Sequence, residues 1–136
     1  MSRTERSELL LGKDATSKLA GSYVAVFGVG GVGSFAAEAL ARAGVGRILL
    51  VDNDVVSESN INRQLIALTD TVGRAKTEVM AQRIHAINPD AVVEQRQCFF
   101  AEENAHEFPF GELDYIVDAI DSVSSKGELI CRAKAA

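Results

Sequence analysis

Cationic side chains are in short supply in this 136-residue chain, where 14 Lys and Arg stand against 19 Asp and Glu for a formal net charge of -5 and a pI near 5.0. A surface of that sign excludes a general nucleic-acid-binding field, so an RNA partner requires a local basic patch. Cysteine is almost missing. Cys98 and Cys131 lie far apart in sequence, which excludes a CxxC metal knuckle and a disulfide framework and makes a reducing cytoplasm the expected setting. The only two histidines, His85 and His106, lack the spacing of a metal pair and are expected at the surface. No apolar run approaches the roughly 20 residues that span a bilayer. The opening MSRTERSELLLG carries charge on both sides of a very short apolar stretch, so neither secretion nor a membrane partner is expected.

What is plentiful is apolar surface. Hydrophobic residues make up 47% of the chain, enough for one compact domain and too much for a disordered tail. Tyr23 to Phe27 form a short β-rich run that enters Gly28-Val29-Gly30-Gly31-Val32-Gly33, and Ser34 to Ala43 then read as an alanine-rich helix stopped by Gly44. Arg47 to Val51 is a second strand-length run ending on Asp52, and the unit has the length of a βαβ crossover, which implies parallel pairing. Asn53 to Thr71 is polar and irregular, and connections of that length usually carry function. Val72 to Ile87 resumes helical spacing, with Val72, Ala75, Val79, Met80, Ile84 and Ile87 on one stripe before Asn88-Pro89 ends it. A third strand is predicted over Ala91 to Cys98, a short helix over Glu102 to Phe108, a fourth strand over Tyr115 to Val117, and a further helix from Ser124. The alternation predicts an α/β fold: a Rossmann-like, doubly wound, mainly parallel sheet with helices on both faces. Residues 1–20 are expected to form a helical segment outside that sheet, and 21–136 the nucleotide-binding domain.

Gly28, Gly30 and Gly33 fit GxGxxG at a strand-to-helix turn, with Gly31 inside it, where missing side chains let backbone N–H groups and a helix N-terminus approach a phosphate. Asp52 ends the next strand, where a carboxylate can accept hydrogen bonds from ribose hydroxyls. These features alone do not separate ATP from NAD or FAD. The loop residues Asn60-Ile61-Asn62-Arg63-Gln64, followed by Lys76, favour ATP: a triphosphate and its departing pyrophosphate need cations, whereas a nicotinamide needs mainly close fit. Asp118 and Asp121 fall at the carboxyl end of the fourth strand, the edge where open α/β sheets bind ligands. Asp121 has two readings, a carboxylate holding Mg2+ against phosphate oxygens or an N-cap of the following helix.

Taken in order, GVGGVGS at 28–34, DND at 52–54, NINRQ at 60–64, Lys76 and DAID at 118–121 resemble the ThiF/MoeB/HesA superfamily, which includes ubiquitin-activating enzymes. The resemblance covers nearly the whole chain. It implies an ATP-dependent adenylating enzyme in which a carboxylate attacks the α-phosphate to give an acyl-adenylate and pyrophosphate. Position by position, it implies that the glycines line the phosphates, Asp52 binds ribose, Arg63 and Lys76 neutralise phosphate charge and Asp121 handles Mg2+, with Asp54, Asn60 and Gln64 as further nucleotide contacts. It also implies a homodimer with an N-terminal arginine crossing the interface, for which Arg6 is the match; a solvated helix charge is the other reading of Arg6.

The finer pattern, with GVGSFAAEALARAGVG, INP at 87–89 and DAIDSVSSK at 118–126, is similar to the tRNA threonylcarbamoyladenosine dehydratase branch. Activators of ubiquitin-like sulfur carriers more often continue the last motif as DNxxTR, where Ser122 and Lys126 stand here. The branch implies tRNA as partner: the threonyl carboxylate is adenylated, and the neighbouring carbamoyl nitrogen displaces AMP within the same molecule, a step that proximity alone promotes strongly. The alternatives kept are adenylation of a carrier's C-terminal Gly-Gly, an NAD-binding oxidoreductase and a passive nucleotide-binding module. Cys98 and Cys131 are expected to be buried packing residues, and Phe99, Phe100, Phe108 and Phe110, flanked by Glu102, Glu103 and Glu107, to be core or interface instead of a base-stacking platform. The family extends well beyond this length, so the chain is expected to be an N-terminal fragment with weak or absent turnover by itself.

Overall fold

Every residue from Tyr23 to Phe27 is buried, and the reason is visible in the alternation of their side chains. In the computed structural model, which describes residues 2–136, this strand β1 sits inside a four-stranded sheet of order β3-β2-β1-β4. Its neighbours are β2 (Arg47–Val51) and β4 (Tyr115–Asp118), and β3 (Val92–Arg96) flanks β2; all three pairings are parallel. Val24 and Val26 join Ile48 and Leu50 on one face. Tyr23, Ala25 and Phe27 join Leu49 and Val51 on the other. Because successive side chains point to opposite faces, a strand covered on both sides reads as an unbroken apolar run.

The first face is covered by α3 (Gly31–Ala43) and α4 (Lys76–Ile87), which contribute Ala37, Ala41, Met80 and Ile84 to its core. The small alanines of α3 let the helix lie close to the sheet. The second face is covered by a short 3-10 segment, Glu102–Glu107, and α5 (Val123–Ala135), with Phe100, Phe108 and Leu129 packed on Phe27. Phe27 and Phe100 meet edge to face with centroids 5.0 Å apart, and Phe100 meets Phe108 the same way at 5.2 Å, the arrangement that aromatic quadrupoles favour. The expected Rossmann-like α/β sheet with helices on both faces is thus present. Residues 2–20 hold two helices, α1 (Glu5–Leu11) and α2 (Lys13–Ala20), neither of which buries a residue.

Several local expectations shift. The amino-terminal helix is divided at Gly12, whose φ of 91° lies in the left-handed region. The helix expected from Val72 begins at Lys76. Val55 and Ala75 form an antiparallel bridge, and Gly73 with φ 89° turns the chain before it, so residues 72–75 close the long loop and Val72 remains 43% exposed outside the helical stripe. The third strand is trimmed to Val92–Arg96, and α3 begins at Gly31, inside the glycine run. Cys131 is exposed, not buried, because it lies on the outward side of α5. Phe100 and Phe108 are core as expected, while Phe99 is half exposed.

Candidate functional site

The strand order reverses between β1 and β4: the chain leaves β1 to build β2 and β3 on one side, then returns to place β4 on the other. Ligands of open parallel sheets bind in the crevice at such a point. Gly28 begins the turn there with φ 96°, donating its N–H to Val51 O at 2.8 Å, while Ala119 N–H is donated to Phe27 O at 2.8 Å. A Cβ at Gly28 would run into the Ala119 carbonyl, and one at Gly33 would overlap the Gly28 carbonyl. Gly28 and Gly33 are therefore required by backbone proximity as much as by any ligand. Gly30 precedes α3 with no side-chain cap, so the amides of the first turn, including Gly31, are left without intrahelical partners at the positive end of a 13-residue helix. Such an end is a ready anion site.

Asp52 is braced from two sides. Its Oδ2 accepts the Val29 N–H at 2.7 Å and its Oδ1 accepts the Asp54 N–H at 2.8 Å, which ties the end of β2 to the glycine turn and leaves each oxygen further capacity to accept. Ser34 links the turn to the long loop by donating to Gly30 O and accepting the Leu65 N–H at 3.3 Å. The adjoining Gln64 is 8% exposed, and its Oε1 is buried without a hydrogen-bond partner. A buried unpaired amide oxygen costs about 1–3 kcal/mol. Gln64 also lies on the wall of the cavity beside this turn.

Beside the turn opens a cavity of about 900 Å³. Gly28, Gly30, Gly31, Asp52, Asp54, Arg63, Gln64, Lys76 and Asp121 all reach it. Lys76 is 6% exposed, opens α4 and has Asp54 Oδ2 at 3.7 Å as its ion-pair partner, a buried cation at the helix end where cations are disfavoured. Arg63 donates from Nη1 to Ser59 O and Asn62 Oδ1, each at 2.9 Å, which fixes the guanidinium and leaves its other N–H donors. The N-cap of α5 is Ser122, whose Oγ accepts the Ser125 N–H at 3.5 Å, so Asp121 has no capping role and stands exposed at the rim. Among the described residues no three acidic, His or Cys side chains gather as a metal cage. One or two rim carboxylates used together with phosphate oxygens and water are the donor set that suits Mg2+.

Three expected site residues stand elsewhere. Gly33 is buried behind the turn. Asn60 is also buried, and its Oδ1 accepts the Ser57 N–H at 2.9 Å, closing the short 3-10 turn Glu58–Asn60 instead of lining the cavity. Arg6 is exposed on α1 and is not among the cavity residues of its own chain. Conversely, Cys98, Phe99, Ser122 and Lys126 line the cavity although the sequence did not single them out as site residues. The signal was available: in a parallel sheet the chain leaves every strand at the same edge, so residues 98–100 after β3 and 122–126 after β4 share the edge of Gly28 and Asp52. Burial raises the Cys98 thiol pKa, the effect that outweighs the lowering by the Arg96 guanidinium.

An uncapped helix start at the switch point, a carboxylate braced by two backbone N–H groups, and the cations Arg63 and Lys76 thus meet around one crevice of a Rossmann-like sheet. Comparison with known proteins narrows the class: the chain matches the ThiF family over residues 3–134 and belongs to it. It is 53% identical over 125 residues to the tRNA threonylcarbamoyladenosine dehydratase of Bacillus subtilis, covering 92% of this chain and 49% of that protein. It is 35% identical over 119 residues to the Escherichia coli sulfur carrier protein ThiS adenylyltransferase, covering 85% of this chain and 46% of that one. The crystal structure of E. coli tRNA N6-threonylcarbamoyladenosine dehydratase in complex with ATP superposes with a TM-score of 0.95 at 44% identity, covering 98% of this chain and 55% of that chain. The chain thus spans about half the length of these relatives.

Proposed function

We propose that this chain forms the ATP-binding half of an enzyme that adenylates the threonyl carboxylate of threonylcarbamoyladenosine in tRNA and so drives its cyclising dehydration. The observation that carries the reading is the cavity itself, which brings the glycine turn, Asp52, Arg63, Gln64 and Lys76 together at the switch point of a chain so similar to a dehydratase solved with ATP.

In this reading the amides of the glycine turn and the first turn of α3 receive the phosphates, Asp52 receives the ribose hydroxyls, and Asp54 holds Lys76 in place. Asn60 acts by shaping the loop. A carboxylate oxygen of the substrate bonds to the α-phosphorus, and the bond to the β-phosphate oxygen breaks with its electron pair leaving on pyrophosphate. Arg63 and Lys76 offset that charge. Mg2+, when held by Asp121 with the phosphates, supplies Lewis-acid neutralisation of the polyphosphate. The carbamoyl nitrogen then attacks the acyl carbon, loses its proton and displaces AMP. No enzyme nucleophile is required.

Residues 1–20 act as an arm outside the 21–136 nucleotide domain, and a homodimer gives that arm a place. Leu9 and Leu10 are more than 80% exposed, and Val32 and Phe35 at the start of α3 are also exposed, so a partner copy has apolar surface to cover and Arg6 a neighbouring site to reach. The protein is expected to work in the cytoplasm with its tRNA; no helix among the described residues is long and apolar enough to cross a membrane.

The test is full-length protein incubated with ATP-Mg and either threonylcarbamoyladenosine-bearing tRNA or a carrier ending in Gly-Gly. AMP release with the tRNA and formation of the cyclised nucleoside are expected. AMP release with the carrier alone would favour the second reading, for which the ThiS adenylyltransferase likeness speaks. Preference for NAD over ATP-Mg in calorimetry would overturn both.

A further inference from the structure

Lys126 occupies a position that helix energetics argue against. It completes the first turn of α5, a 13-residue helix with no acidic residue in that turn, where the partial positive charge of the N-terminus disfavours a cation. Its side chain turns toward the nucleotide cavity, and Nζ lies 3.2 Å from Asp118 Oδ1, an oxygen that also accepts the Ile120 N–H at 3.2 Å. Asp118 therefore holds the ammonium group against the cavity rim while α5 adds its own positive end. Asp118 offsets part of that charge, so what stands at the rim is a fixed ammonium donor with N–H groups to spare, which the function described so far does not use.

The side from which this cation arrives indicates its ligand. Arg63 and Lys76 come from the segment that follows β2, whereas Lys126 follows β4, on the other flank of β1. In-line displacement at phosphorus places the entering and leaving oxygens on opposite sides. Cations on one flank offset the departing pyrophosphate; a carboxylate approaching from the other flank must come within bonding distance of a polyanion and needs a cation of its own. We propose that Lys126 Nζ receives the acceptor carboxylate and delivers it to the α-phosphorus, with Asp118 as the residue that positions the ammonium group. The assignment rests on the adenylation reading above. When the carboxylate oxygen bonds to phosphorus and pyrophosphate leaves with the electron pair, Lys126 keeps its proton throughout and acts only by charge and hydrogen bonding.

The test uses full-length protein carrying Lys126→Ala or Lys126→Arg, with ATP-Mg affinity measured by calorimetry and AMP release measured against modified-tRNA concentration. Lys126→Ala is expected to lower kcat/KM for the tRNA by about 10- to 100-fold while leaving ATP-Mg affinity within about twofold, and Lys126→Arg to restore most of the loss. Inhibition by threonylcarbamoyladenosine nucleoside and by its carboxamide adds a readout that misfolding cannot imitate. Wild type should favour the carboxylate, and Lys126→Ala should lose that preference. Retention of the preference, or an equal loss of ATP affinity, would overturn the assignment, the latter by making Lys126 a phosphate ligand. A wild-type protein that binds ATP-Mg yet releases no AMP with the tRNA would instead sink the adenylation reading, and this assignment with it.

Discussion

Lys76→Met separates a residue kept for function from one kept for the fold. Lys76 is 6% exposed and its ion-pair partner, Asp54 Oδ2 at 3.7 Å, belongs to a side chain that is 64% exposed. Two unit charges at that separation attract by about 4–5 kcal/mol in an effective dielectric near 20. Solvent around Asp54 cuts this to roughly 1 kcal/mol or less. Against it stand the desolvation of the ammonium, worth several kcal/mol before compensation, and the unfavourable helix N-terminus, about 0.3–1 kcal/mol. Methionine keeps the buried stem and removes the charge. The expected change in stability thus lies between zero and a gain of about 2 kcal/mol. A nucleotide bound to the variant loses a charge-assisted phosphate contact in a shielded site, about 2–4 kcal/mol, or roughly 30- to 700-fold in affinity. Urea denaturation and ATP-Mg calorimetry on full-length protein give the two numbers. A stability loss beyond about 1 kcal/mol, or ATP affinity within about twofold of wild type, would refute the reasoning.

Other outcomes follow from the same geometry. Gly33→Ala forces a Cβ onto the Gly28 carbonyl and should cost about 1–3 kcal/mol by urea titration, whereas Gly31→Ala, whose Cβ would find its nearest neighbour at 3.9 Å, should stay within about 0.5 kcal/mol. Asp121→Asn should leave stability within about 0.5 kcal/mol, since Ser122 caps α5, yet raise the Mg2+ concentration that half-saturates AMP release. Glu38 accepts hydrogen bonds from the Arg83 guanidinium, which pulls its pKa below the ordinary 4.5. A lowered folded-state pKa stabilises the protein above the unfolded value and is lost as pH falls through the folded one. Glu38→Gln should therefore lower stability at neutral pH and flatten the acid limb below about pH 4.5, as thermal melts against pH would show; parallel limbs in both proteins would count against the pair.

Much of this molecule was legible from its residues because the decisive patterns are local. Tyr23 to Phe27 and Arg47 to Val51 are apolar without interruption, and only a strand covered on both faces tolerates that. The glycine run between strand and helix announced a tight turn, and Asp52 followed at the spacing of a crossover. Boundaries were less legible where two demands met. Val72 to Ala75 have helical spacing, yet the bridge from Val55 to Ala75 claims their backbone, and no local pattern records a pairing with a residue so far upstream. Asp121 was open between cap and metal ligand until Ser122 proved to hold the cap. Asn60 belonged to the motif but spends its side-chain oxygen on Ser57. Phe99 was expected in the core or at an interface, and the end of β3 places it half exposed on the cavity wall.

Sequence alone determined the order of the strands and main helices, the parallel crossover and the glycine turn, because hydrophobic period and glycine placement act over a few residues. Only the tertiary structure decided which polar groups share a site. Asp52, Gln64, Lys76 and Lys126 come from four separate segments, and what unites them is that parallel strands all end at one edge, where the order β3-β2-β1-β4 opens a crevice beside Gly28.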